Sequence, residues 1–94
     1  MEITKIYWRE DALNNFKDII ASYHRQGKKF IKRIINETTK DIESLRKRPY
    51  CGYIEASMKK QSQKIFSHYV ANGHMKVLYY TENDRMYIID FWNN

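Results

Sequence analysis

Residues 59–76 carry Lys59, Lys60, Lys64 and Lys76 together with His68 and His74, and no Asp or Glu. Those residue types suit general acid–base work on RNA. Cleaving a phosphodiester through its own 2′-hydroxyl needs one group to take the hydroxyl proton and another to protonate the leaving oxygen. Cations must also offset the charge that grows on the phosphorane-like transition state. Lys64, His68, His74 and Lys76 form the candidate catalytic set. Lys59, Lys60, Lys64, Lys76 and Tyr80 are candidate RNA contacts, with Tyr80 or Tyr79 stacking a base. Each has a structural alternative. His68 falls between Phe66 and Val70 on a face that can be buried, His74 stands beside a turn, and tyrosines on strands commonly pack the sheet.

Other chemistries find less support. His24, His68 and His74 have no partners at the spacings that build a metal site, and Cys51 is the only cysteine. The same scatter disfavours a Cys–His nucleophile. No Gly-rich phosphate loop and no Ser-His-Asp arrangement is evident. The expectation is a protein that needs neither metal nor cofactor.

The elements that must position these residues follow from periodicity. Ile3–Trp8 is a short β-type run. With Asp11 as cap, Leu13, Phe16, Ile20 and Tyr23 then recur at helical spacing until Gly27. Phe30, Ile31, Ile34, Ile35, Thr38, Ile42 and Leu45 predict a longer second helix. Its opposite face is charged, Arg46-Lys47-Arg48 suits its last turn, and Pro49 ends it. Residues 49–63 read as turn and loop. Three strands follow, over 64–71, 75–81 and 85–92, the first two joined by the hairpin signal Asn72-Gly73. Alternation puts Phe66, His68 and Val70 on one face, and groups Lys76 with Leu78 and Tyr80. The order β-α-α-β-β-β predicts an α+β fold, an antiparallel sheet packed against an N-terminal helical hairpin, as a single domain over residues 1–94.

The net charge of +6 is localised. Residues 25–48 hold nine Lys/Arg against three acids, while the rest of the chain is balanced. Such a segment favours an acidic partner, nucleic acid or an acidic peptide. A lone cysteine, no secretory pattern at Met1-Glu-Ile-Thr-Lys5 and no long apolar run predict a cytoplasmic protein with no membrane association.

Taken together, these segments resemble the RelE/ParE family of type II toxin–antitoxin toxins, the plasmid stabilisation family. The resemblance lies in Tyr7-Trp-Arg-Glu-Asp-Ala-Leu13, in Phe30 to Pro49 with its ending Leu45-Arg-Lys-Arg-Pro49, in Gly73-His-Met-Lys-Val-Leu-Tyr-Tyr80 and in Asp84 to Trp92. It covers nearly the whole chain. It implies a concave antiparallel sheet with two N-terminal helices, and a toxin neutralised by a cognate antitoxin. The activity implied is metal-independent cleavage of mRNA on the ribosome or, in the other branch, poisoning of DNA gyrase. By position, Lys64 matches the family's basic residue on the first strand of the C-terminal sheet. Lys76 stands where ribonuclease members place an Arg, so a point charge replaces a bidentate fork. Those members also carry further Arg, His or Tyr just after the last strand, where this sequence has Asn93-Asn94. Three roles therefore stay open: endoribonuclease, gyrase inhibitor, and an antitoxin-binding corepressor without toxicity.

Overall fold

The computed structural model describes residues 2–55 and 64–94. Its elements are β1 (Lys5–Trp8), α1 (Glu10–Ala21), a 3-10 turn (His24–Gln26), α2 (Lys28–Ser44), β2 (Tyr53–Ile54), β3 (Phe66–Val70), β4 (Met75–Glu82) and β5 (Arg85–Asn93). The strands make one five-stranded sheet in the order β1-β5-β4-β3-β2.

The α+β class and the helical hairpin hold, but the sheet is mixed rather than antiparallel. β1 runs parallel to β5, with Ile6 opposite Met86 and Trp8 opposite Ile88. Hydrophobic alternation defines a strand's faces and is silent on its direction. Direction depends on the connection, and the long excursion through both helices is what a parallel neighbour requires. β2 is a second departure, since it lies in a segment read as loop. Two residues are too few to show a period. Its approach depends on Gly52, where a Cβ would sit 2.5 Å from the carbonyl oxygen of Ser67.

The helices differ at their ends from the expected pattern. Arg9 occupies the N-cap of α1 without a side-chain cap bond, and Asp11 instead joins Glu10 in the first turn, where both favour the helix dipole. α1 stops at Ala21, so Tyr23 lies beyond it. Gly27, with φ of 92°, serves as the N-cap of α2. The first turn of α2 has no acid and its last turn no base. Lys28 and Lys29 therefore face the positive pole of the dipole, each costing about 0.3–1 kcal/mol. Arg46 lies past the helix end, where it pairs with Glu43 and donates to the carbonyl of Thr4 at 2.7 Å. It ties the N-terminal segment down instead of capping α2.

Both helices pack on one face of the sheet. Ala12 and Phe16 from α1 and Ile34 and Ile42 from α2 meet Met75, Val77, Tyr79, Met86, Ile88 and Phe91. Trp8, Phe16 and Phe91 form an aromatic triangle with centroids 5.0–5.4 Å apart. Tyr79 is fully buried and its hydroxyl donates to the Pro49 carbonyl at 2.9 Å, pinning the segment that leads into β2. Burial pushes its phenol well above the usual range.

The β3–β4 hairpin forms, but with a four-residue connection. Val70 pairs with Met75, and Ala71, Asn72 and Gly73 all have positive φ (53°, 54° and 85°). A left-handed alanine is strained by about 1–2 kcal/mol. Asp41 of α2 offsets this by accepting the Ala71 N–H at 2.9 Å.

Candidate nucleic-acid interface

Pairing register assigns each side chain to a face. Met75, Val77 and Tyr79 point to the helices, so Lys76, Leu78 and Tyr80 point away. Tyr69 of β3 and Trp92 of β5 are the direct cross-strand partners of Lys76. Its ammonium lies 5.5 Å from the Tyr69 ring centroid and 5.4 Å from that of Trp92. This is a cation held between two aromatic side chains, within cation–π range of both. Glu55 completes the group, its Oε2 3.2 Å from Lys76 Nζ. Both members of that ion pair are about four-fifths buried, with side-chain exposures of 22% and 19%. Asp90 fixes Trp92 by accepting its indole N–H at 3.1 Å.

A second aromatic group crosses the same face nearer the other end of the sheet. Tyr80, Tyr87 and Tyr7 come from β4, β5 and β1 and stack in sequence. Their centroids are 5.0 and 5.4 Å apart and their planes lie within 19° of one another. Arg85 adds a cation here. A hydrogen bond with Tyr87, and then the neighbouring Tyr7 and Tyr87 phenols, hold its guanidinium above its usual value. Between the two groups Leu78 and Ser67 are fully buried. The Ser67 hydroxyl has no hydrogen-bond partner.

The expected catalytic residues do not converge on one point. Lys76 is on the sheet face turned away from the helices. His68 shares the parity of Phe66 and Val70 and lies toward the helices, half-buried beside Glu37, Asp41 and Ser44 of α2. His74 is in the hairpin turn, where its Nδ1 lies 2.7 Å from the Ala71 carbonyl. Its ring meets Phe30 and Tyr23 edge-on, at 5.6 and 6.1 Å. Lys64 is exposed and precedes β3. It stands five residues before Tyr69, the partner of Lys76, or roughly 17 Å along an extended strand. Tyr80 is on the same face as Lys76, as its alternation predicts. Lys59 and Lys60 lie outside the described residues. Among the described residues no group of three His, Cys, Asp or Glu is placed to hold a metal ion.

Sequence reading overlooks Tyr69, Trp92, Tyr87, Arg85 and Tyr7 as members of this face. A bulge explains the case of Trp92. From the β4–β5 turn as far as Tyr79–Ile88 the paired residues run in simple register, but the next pair is Leu78 with Asp90, which skips Ile89. Continued without that shift, the register would bring Phe91 opposite Lys76. The extra residue sends Phe91 into the core and Trp92 outward. Tyr87 and Arg85 could have been found by extending the Lys76–Tyr80 alternation across the hairpin.

Neither a protein-family model nor a curated protein matches the sequence.

Proposed function

We propose that this chain is the toxin of a type II toxin–antitoxin pair of the RelE/ParE kind, and that it acts in the cytoplasm as a ribosome-dependent mRNA endoribonuclease. A cognate antitoxin is its protein partner and covers it in the resting cell. The observation that carries the reading is the Lys76 ammonium between Tyr69 and Trp92 on the sheet face turned away from the helices, with Tyr80, Tyr87 and Tyr7 beside it. Single-stranded RNA is held by aromatic rings that stack its bases and by cations that meet its phosphates, and this face supplies both. In this reading Lys76 offsets charge on the scissile phosphate, with no metal or cofactor needed.

A specific observation favours the second reading, inhibition of DNA gyrase. His68, His74 and Lys64 are set apart from Lys76, so the acid–base groups expected from sequence are not gathered around one phosphate. A protein-binding inhibitor needs no such gathering. Inducible expression of the chain, with growth and primer-extension mapping of mRNA ends followed together, separates the two. Arrest with new ends inside translated codons, lost in Lys76→Gln, supports nuclease action through this face. Arrest with intact mRNA and an induced DNA-damage response sinks it in favour of gyrase. Harmless expression leaves the corepressor role.

A further inference from the structure

The far side of the molecule carries a different surface. Ile34, Thr38 and Ile42 are the buried residues of α2. At about 100° per residue, Lys29, Lys32, Arg33, Asn36 and Lys40 all fall within about 60° of the direction opposite them. The four cations are exposed and border one shallow hollow on the helix. Among the described residues the ion pairs are Arg9–Asp11, Arg46–Glu43 and Lys76–Glu55. None of the four takes part. Glu37 borders the same hollow but, among the described residues, forms no ion pair with any of the four, and Asp41 is committed to the Ala71 N–H. Lys29 also stands at the wrong pole of the helix dipole, and Lys29, Lys32 and Arg33 are like charges at helical-neighbour spacing. The helix would be more stable without this arrangement.

We infer that the outer face of α2 is a docking surface for the phosphate backbone of a nucleic-acid duplex, separate from the sheet face. Lys29 to Lys40 spans roughly 16 Å of helix axis, long enough to follow one strand past several phosphates. Four exposed cations without an ion pair among the described residues suit a phosphate rail, and Arg33 is steadied over the Phe30 ring, 5.2 Å from its centroid. An acidic peptide would need a deep groove or a strand edge for its backbone and side chains, and this helix face offers only the shallow hollow. The inference does not depend on the sheet face acting on mRNA.

The test is fluorescence anisotropy with the purified full chain and 20-base-pair duplexes of arbitrary sequence, one of RNA and one of DNA. Four phosphate contacts predict a slope of log K against log salt of about −3.6 on B-form DNA, or roughly a hundredfold weakening between 50 and 200 mM salt. Each of Lys29→Gln, Lys32→Gln, Arg33→Gln and Lys40→Gln removes about one unit of slope. Lys17→Gln, on the exposed side of α1, leaves it unchanged. Lys29→Glu weakens binding while raising Tm, a combination that misfolding cannot produce. Binding to the RNA duplex, the DNA duplex or both supports the surface and names its source. Three results overturn it: no binding to either duplex, equal loss in Lys17→Gln, or displacement by polyglutamate as effectively as by a duplex of the same charge.

Discussion

Replacing Glu55 by Gln and Lys76 by Met, singly and together, measures how firmly the central cation of the sheet face is held. At 3.2 Å and an effective dielectric constant of about 20, the gross attraction is about 5 kcal/mol. Most of it is offset by desolvation, because both side chains are about four-fifths buried. Fully exposed pairs are worth about 0.2–1 kcal/mol, and breaking fully buried ones costs about 3–5 kcal/mol. For this pair a coupling of about 1–2 kcal/mol is expected from urea unfolding of the four proteins. Methionine keeps the apolar stem between Tyr69 and Trp92, so the cycle isolates charge from packing. The same variants bear on RNA. Glu55 competes with any phosphate for Lys76, so Glu55→Gln should tighten binding of a single-stranded RNA 8-mer. About 1.4 kcal/mol of released coupling corresponds to roughly tenfold. A coupling below about 0.5 kcal/mol, or an 8-mer bound more weakly by Glu55→Gln, would refute the argument that this carboxylate restrains the cation.

Other expectations concern the frame around the site. Ser67→Ala should raise stability by about 1 kcal/mol, because the hydroxyl it removes is buried without a partner; a clear loss in thermal melts would contradict that. Gly52→Ala forces a Cβ against the Ser67 carbonyl and should cost about 1–3 kcal/mol, with Tm lowered by roughly 4–8 °C per kcal/mol. An unchanged Tm would mean that β2 is not held as described. The Asp84 carboxyl accepts the Thr4 hydroxyl at 2.5 Å and is held below the usual carboxylate range by that bond first. A depressed value stabilises the fold above the unfolded-state pKa and is lost as pH falls through the folded one. Stability curves of Thr4→Val should therefore converge on wild type as the pH falls below the folded-state pKa of Asp84, and parallel curves at all pH values would exclude the contact.

The elements and their order were legible because each long one carries its own period. Phe16 with Ile20, Ile34 with Thr38 and Ile42, and Met75 with Val77 and Tyr79 announce a helix or strand without reference to anything else. What was not legible depends on partners distant in the chain. The direction of β1 depends on β5. Assigning Phe91 and Trp92 to opposite faces depends on one bulge at Ile89, which a regular alternation conceals. The basic cluster of residues 59–76 illustrates the same limit. Nearness in sequence brought Lys64, His68, His74 and Lys76 together on paper. Strand pleating then divides His68 from Lys76, and strand length divides Lys64 from it. The aromatic partners of Lys76 come from β3 and β5 through register alone. The charge on α2 was visible as composition, and only the burial of Ile34, Thr38 and Ile42 fixes the direction in which it points.

The pairing of β1 with β5 sets the order in which this protein can mature. Lys5 finds its partner 80 residues later, at Arg85. During synthesis the first strand must wait while the helical hairpin and the β3–β4 hairpin are made. Tyr7 lacks Tyr87 until β5 arrives, and so does Tyr80, while Lys76 lacks Trp92. Both aromatic groups on the Lys76 face of the sheet are thus incomplete until β5 has been added, and a nascent chain exposes the bare edge of β4 meanwhile. Contacts so distant fold slowly, and a bare strand edge is a template for pairing with another chain. A face assembled last leaves its strand edge exposed for longest and is most open to mispairing before β5 is in place. In that interval a partner offering a strand or an apolar face would gain the most by binding.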